Sequence, residues 1–121
     1  MNYNVLLKMA YEAMEQAYAP YSGVKVGAAL LTYSGEVYTG SNVENASYGA
    51  SICAERAAVL KAVNAGYTSF TAIAVVSNLS GYTYPCGICR QVITEFVEDM
   101  DIILSDGSHI KILRLEELFP Y

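Results

Sequence analysis

Cys53, Cys86 and Cys89 are the only cysteines in the 121-residue chain. Cys86-Gly87-Ile88-Cys89 sets two thiols at the C-x-x-C spacing that chelates a metal, and Cys53 joins them if two helix starts meet in space. An odd number of thiols argues against structural disulfides. Three thiolates leave one tetrahedral position open, which is the arrangement of a catalytic rather than a structural zinc site. A C-x-x-C alone would equally describe a redox dithiol or a buried pair. Cys53-Ala54-Glu55 adds a carboxylate two residues from a ligand, where it can take a proton from zinc-activated water and return it to substrate without binding the metal. Residues two apart face away from each other in mid-helix, so this chemistry requires the pocket to lie at helix N-termini.

Three thiolates and one zinc ion sum to a net negative site, a weaker acidifier of water than a set containing neutral histidine. Positive helix ends and nearby arginines offset that charge. Arg56 follows the proposed base and is expected to hydrogen-bond a ligand sulfur. Arg90 follows Cys89 and stands between the same role and that of an ordinary surface arginine.

The elements that must position these groups can be read along the chain. Val5, Leu6, Met9, Ala10, Ala13, Met14 and Ala17 recur at helical spacing, predicting a helix over 4–18 that Pro20 ends. Strands are expected at 24–33 and 36–39 around a Ser34-Gly35 turn. Residues 40–51 are polar and form a long connection of the type that carries binding groups. A helix over 53–65, closed by Gly66, precedes the apolar strand 70–77. Loop 78–85 leads to a helix over 86–97 and a strand at 102–104, a parallel crossover. Asp106-Gly107 is too short for another, so 109–113 should return antiparallel before a helical turn at 116–118. The expected fold class is α/β, a five-stranded mixed sheet in the order α-β-β-α-β-α-β-β, built as a single domain over 1–121.

Hydrophobic residues make up 54% of the chain, yet no apolar run approaches the roughly 18 residues of a membrane span. Burial between identical subunits is the simplest place for the excess. The net charge of -5, with seven Lys and Arg spread along the chain, argues against a nucleic-acid partner and for a small molecule. The N-terminus shows no secretory pattern, so a cytoplasmic location is expected. Asn45-Ala46-Ser47 and Asn78-Leu79-Ser80 match the glycosylation acceptor pattern, which is frequent by chance and idle without secretion. His109, the only histidine, falls on a late strand and is expected to be structural.

Cys53-Ala54-Glu55-Arg56 with Pro85-Cys86-Gly87-Ile88-Cys89-Arg90-Gln91 resembles the zinc deaminase signature in its all-cysteine form. The segments Tyr18-Ala19-Pro20-Tyr21-Ser22, Val26-Gly27-Ala28-Ala29 and Asn42-Val43-Glu44-Asn45-Ala46-Ser47-Tyr48 are similar to those of the small homotetrameric cytidine deaminases. The resemblance covers nearly the whole chain. It implies the three-layer cytidine deaminase-like fold, Zn2+ as cofactor, and hydrolytic deamination of cytidine and deoxycytidine in pyrimidine salvage. It further implies that Asn42 and Glu44 bind the ribose hydroxyls and that the Ala54 N–H binds the pyrimidine carbonyl. Glu55 would contact ring N3 and protonate the departing ammonia, and Tyr48 would reach a neighbouring subunit's site. Pro85, Arg56 and Arg90 would support the metal ligands.

Two departures from the family pattern stand out. Val24 occupies a position where a base-stacking Phe is common, and the sequence ends at Phe119-Pro120-Tyr121 where relatives continue to a later Phe. Weaker stacking, or stacking by Tyr121 from another subunit, is the expected consequence. Within the fold, the competing reading is a deaminase of a modified cytosine nucleoside such as blasticidin S; Asn42 and Glu44 favour an ordinary ribose. A polynucleotide substrate would need a basic channel. Outside catalysis, a silent zinc-binding module has no use for Glu55, and a dithiol redox protein has none for Cys53.

Overall fold

Strands whose alternate residues are apolar on both faces need a helical layer on each side, and that requirement organises the chain. The computed structural model describes residues 2–118. Helix α1 is Tyr3–Met14, followed by strands β1 (Val26–Thr32) and β2 (Val37–Ser41), helix α2 (Ala54–Asn64), β3 (Phe70–Ser77), helix α3 (Gly87–Thr94), β4 (Asp101–Ser105) and β5 (Ile110–Arg114). Short 3-10 turns cover Tyr48–Ala50 and Leu115–Leu118. The sheet order is β2-β1-β3-β4-β5, with only the β3–β4 pair parallel. This is the expected mixed α/β fold.

Period-two alternation divides the core into two layers. Ala28, Leu30, Ile73, Val75, Ile102 and Leu104 pack against Ala54, Ala58, Val59 and Ala62 of α2 and Ile93 of α3. Ala29, Leu31, Ala72, Ala74, Val76 and Ile103 meet Leu6, Leu7 and Ala10 of α1 on the other face. The 3.6-residue spacing of α1 thus buries one stripe on the sheet.

Several element ends differ from expectation, among them β1, which begins at Val26 rather than 24, and α3, which ends at Thr94 rather than 97. Helix α1 stops at Met14 rather than continuing to 18, because the chain tightens into i→i+3 bonds, Gln16 N–H to Ala13 and Ala17 N–H to Met14. Tyr18 then forms an isolated bridge with Val43 and donates to the Asn42 carbonyl. Strand β2 runs on to Ser41, further into the connection than predicted, where it pairs Gly40 with Ala28 and Ser41 with Gly27. The Ser34-Gly35 turn is as expected, with Gly35 at φ 101°. His109 is exposed and its Nδ1 lies 3.4 Å from Asp106 Oδ2 in the β4–β5 turn.

Two close approaches set the distances between layers. A Cβ on Gly27 would lie 2.0 Å from the Ala10 carbonyl of α1, and one on Gly40 would lie 2.4 Å from the Ala54 carbonyl and 2.6 Å from the Ala58 nitrogen of α2. Glycine there lets the first turns of α2 sit on β2. At the other end, Tyr3 Oη donates to Asp101 at 2.6 Å, and Arg114 pairs with Asp101 at 2.7 Å and with Asp99 at 2.9 Å.

Gly40→Ala is expected to destabilise the protein by about 3 kcal/mol or more, since backbone rather than a flexible side chain blocks the methyl. Gly49, where a Cβ would meet nothing, is the control, and thermal unfolding reads the difference. Tyr3→Phe should cost about 1 kcal/mol at neutral pH, the net worth of one hydrogen bond. The bonds from Tyr3 and then Arg114 hold Asp101 below its ordinary value, so this contribution is present above that value and is lost as acid protonates Asp101. The same bond, with burial, pushes Tyr3 up to about 12; its contribution is complete below the ordinary value of about 10 and lost as pH rises through about 12. The stability gap between wild type and Tyr3→Phe, followed by urea unfolding across pH, should close at both ends.

Candidate active site

Cys53 and Cys86 are the N-caps of α2 and α3. Residues at that position have extended backbone and project their side chains over the helix start. Cys86 Sγ accepts a hydrogen bond from the Cys89 N–H at 3.3 Å, so the C-x-x-C loop is also the cap of α3. The α2 start brings Cys53 Sγ to 3.6 Å from Cys86 Sγ, and Cys86 and Cys89 sulfurs are 3.1 Å apart. All three lie within 4.8 Å of one another. A zinc–sulfur bond of about 2.3 Å sets tetrahedral sulfurs about 3.8 Å apart, so these three side chains fit a zinc ion by element, number and spacing.

Charge around the cluster is shared among few groups. The Arg56 Nη2 donates to Cys53 Sγ at 3.5 Å, while its Nε is buried with no partner among the described residues. Bonding to Cys89 and to Arg56 pulls the Cys53 thiol down to about 5. Cys89, fully buried, is pushed up by its bond to Cys53 and by burial. Arg90 donates from Nε to the Pro85 carbonyl at 2.8 Å and from Nη1 to the Leu118 carbonyl at 3.0 Å. It ties the residue before Cys86 to the 3-10 turn at Leu115–Leu118, a link between backbone segments that the sequence did not suggest.

Glu55 is 4% exposed, in the first turn of α2. Burial, and then the neighbouring Cys53 charge, push its carboxyl up, against the opposing pull of the Glu55 and Cys86 N–H groups and the Cys89 thiol. A carboxyl raised in this way beside a metal-ligand cluster is suited to hold and release a proton. It lines, with Cys53, Ala54 and Cys86, the inner part of a cleft of about 820 Å³, a size that admits a small ligand.

The outer part of the cleft comes from loops. Asn42, Glu44, Tyr48, Tyr21 and Ser22 line it, and Thr83, Tyr84 and Ile88 form the side next to Cys86. Tyr48 is 92% exposed. The Asn42 amide is already engaged: Oδ1 accepts from Val26 N–H and Nδ2 donates to the Val24 carbonyl, both at 2.8 Å. Glu44 Oε1 accepts the N–H groups of Tyr21 and Ser22 at 3.0 and 3.1 Å, and Oε2 accepts the Ser22 hydroxyl. These bonds, the Ser22 hydroxyl first, hold its carboxyl below the ordinary range. One lone pair and one N–H of Asn42, and one carboxylate lone pair of Glu44, remain for a ligand.

Val24 precedes β1, its carbonyl accepting from Asn42 Nδ2 and its N–H donating to Ser22 Oγ, and Val26, the first residue of β1, lines the cleft. Tyr121, the alternative source of an aromatic ring, lies outside the described residues. Sequence reasoning missed Tyr84, Ile88 and the cleft-lining Tyr21; only their neighbourhood to motif residues could have flagged them.

Residues 1–105 match the family described as the cytidine and deoxycytidylate deaminase zinc-binding region. A cytidine deaminase of Sporosarcina psychrophila is 51% identical over 79% of this chain and 71% of its own length. Another, from Halalkalibacterium halodurans, is 44% identical over 99% of this chain and 92% of its own. The crystal structure of cytidine deaminase from Burkholderia pseudomallei superposes with a TM-score of 0.92 at 45% identity, covering 98% of this chain and 96% of that one. The chain belongs to the cytidine and deoxycytidylate deaminase family and carries that family's zinc-binding cysteines on two helix starts.

Proposed function

We propose that this protein hydrolyses cytidine and deoxycytidine to uridine and deoxyuridine, releasing ammonia. The observation that carries the proposal is the placement of a buried Glu55 beside three convergent thiols on a cleft of about 820 Å³. Relatives that match most of the chain bear the same activity in their names.

When bound by Cys53, Cys86 and Cys89, zinc supplies the Lewis acidity that makes water a nucleophile near neutral pH. The chain's own residues do the remainder. The Ala54 N–H, at the positive start of α2, binds the pyrimidine carbonyl. Asn42 and Glu44 use their remaining hydrogen-bonding capacity on the ribose hydroxyls. Glu55 takes the proton of the attacking water and delivers it to ring N3, then takes the proton of the new C4 hydroxyl and passes it to the amine nitrogen as the C4–N bond breaks and the carbonyl forms. Arg56 offsets the sulfur charge through its bond to Cys53, and Arg90 fixes Pro85, hence the start of α3.

The chain acts as one catalytic domain over 1–121, in a homotetramer with sites at subunit interfaces, in the cytoplasm and in pyrimidine salvage. The exposed Tyr48 on the cleft supports the assembly, since an almost bare ring beside a ligand site has little to hold it within one subunit. Among the described residues no helix is long and apolar enough to cross a membrane.

Ultraviolet absorbance of zinc-loaded protein with cytidine, deoxycytidine and cytosine tests the reaction. Loss of the cytidine band is expected for both nucleosides, and bound zinc without any turnover would overturn the proposal. Glu55→Gln should keep zinc and lose about a thousandfold or more in turnover; near-wild-type activity would remove Glu55 from its role. Cys86→Ala should lose metal and thermal stability together, and full zinc content by atomic absorption would contradict its assignment as a ligand.

A further inference from the structure

Between α1 and β1 the chain runs as a strap, Tyr21 to Val26, whose hydrogen bonds are supplied largely by side chains. Every backbone N–H along it has an acceptor: Glu44 takes those of Tyr21 and Ser22, the Ala19 carbonyl that of Gly23, Ser22 Oγ that of Val24, Asn78 Oδ1 that of Lys25, and Asn42 Oδ1 that of Val26. Two amides hold alternate peptides from opposite sides. Asn42 grips Val24 and Val26, while Asn78 donates from Nδ2 to the Gly23 carbonyl at 2.9 Å and accepts from Lys25 N–H at 3.0 Å. Asn78 also donates its own N–H to the Lys25 carbonyl. The strap carries Tyr21, Ser22 and Val26 into the cleft, and it carries none of the sulfurs and not Glu55.

We propose that Asn78 is a positioning residue for nucleoside binding, acting through the strap; the proposal rests on the function assigned above. Asn78 directly follows β3 and begins the loop that ends at Cys86. Its amide therefore fixes the substrate wall to the same strand end from which the loop to Cys86 and Cys89 departs. Without that amide, Gly23 and Lys25 lose their side-chain partners, and Gly23, at φ 73°, is the residue most free to re-orient. Ser22 and Tyr21 would then meet Glu44 in several arrangements rather than one. Because the reacting groups sit on α2 and α3, the loss falls on binding and spares the chemical step.

Kinetics, product affinity and amide exchange on zinc-loaded Asn78→Ala and Asn78→Asp test this. Asn78→Ala is expected to raise the KM for cytidine and the Kd for uridine about tenfold, with kcat within about twofold of wild type. Zinc content should be unchanged, and the Lys25 and Val26 amides should exchange faster. Asn78→Asp keeps the acceptor for Lys25 N–H and loses the donor to Gly23, so it should fall between. A KM and Kd like those of wild type would overturn the proposal, as would kcat and zinc content falling together, the mark of a merely structural residue. A wild-type protein inactive on cytidine would instead defeat the assigned function, while the exchange rates would still decide whether Asn78 orders the strap.

Discussion

The structure depends on two helices starting at the same point in space. Three sulfurs can share one ion only if the α2 and α3 N-termini converge, and the two cysteines that begin those helices are far apart in sequence. The sheet order β2-β1-β3-β4-β5 meets this demand. α2 leaves the β2 edge, crosses β1 and returns to β3, whose far end launches α3. Both helix starts then lie at one end of the sheet. The glycine at position 40 belongs to the same constraint, because its missing side chain lets α2 settle close to β2.

Convergence of thiols at helix starts also solves a charge problem. An N-cap side chain meets unpaired N–H groups and the positive end of the helix dipole, which favour an anion. Cys86 uses that directly, accepting the Cys89 N–H, and Arg56 adds a full positive charge beside Cys53. The same crowding acts on Glu55 in the opposite sense: buried next to thiols, its carboxyl favours the protonated form. One geometry therefore stabilises negative sulfur and keeps a neighbouring carboxyl ready to carry a proton.

What the sequence disclosed follows from how local each signal is. Cys86-Gly87-Ile88-Cys89 and Cys53-Ala54-Glu55 encode their geometry within a single turn, so the ligand set and its neighbouring carboxylate were readable from spacing. The sheet was readable too, because the Ser34-Gly35 turn marks a hairpin and β3 is an almost unbroken apolar run. The end of α1 was not, since helical spacing through Ala17 gives no sign that Tyr18 will be drawn to Val43 across the chain. Arg90 illustrates the same limit: adjacency to Cys89 left it between a sulfur partner and the open surface, while the fold sends its guanidinium to the Pro85 and Leu118 carbonyls.

The strap explains why a binding wall can be both open and ordered. A strand hydrogen-bonded on both sides would satisfy the same peptides, but it would extend the sheet and fill the space the ligand needs. Side chains reach peptides from a distance, so Asn42, Glu44 and Asn78 can hold four of the strap's six N–H groups while leaving one face to the cleft. The arrangement is cheap in chain length and exacting in chemistry. An amide offers a donor and an acceptor on one planar group, which matches alternate carbonyl and N–H groups of an extended backbone; a carboxylate matches consecutive N–H groups, as Glu44 does at Tyr21 and Ser22. Asn42 and Glu44 thereby act on the wall and line the cleft at once, so a change at either alters the shape of the cleft as well as its hydrogen bonding.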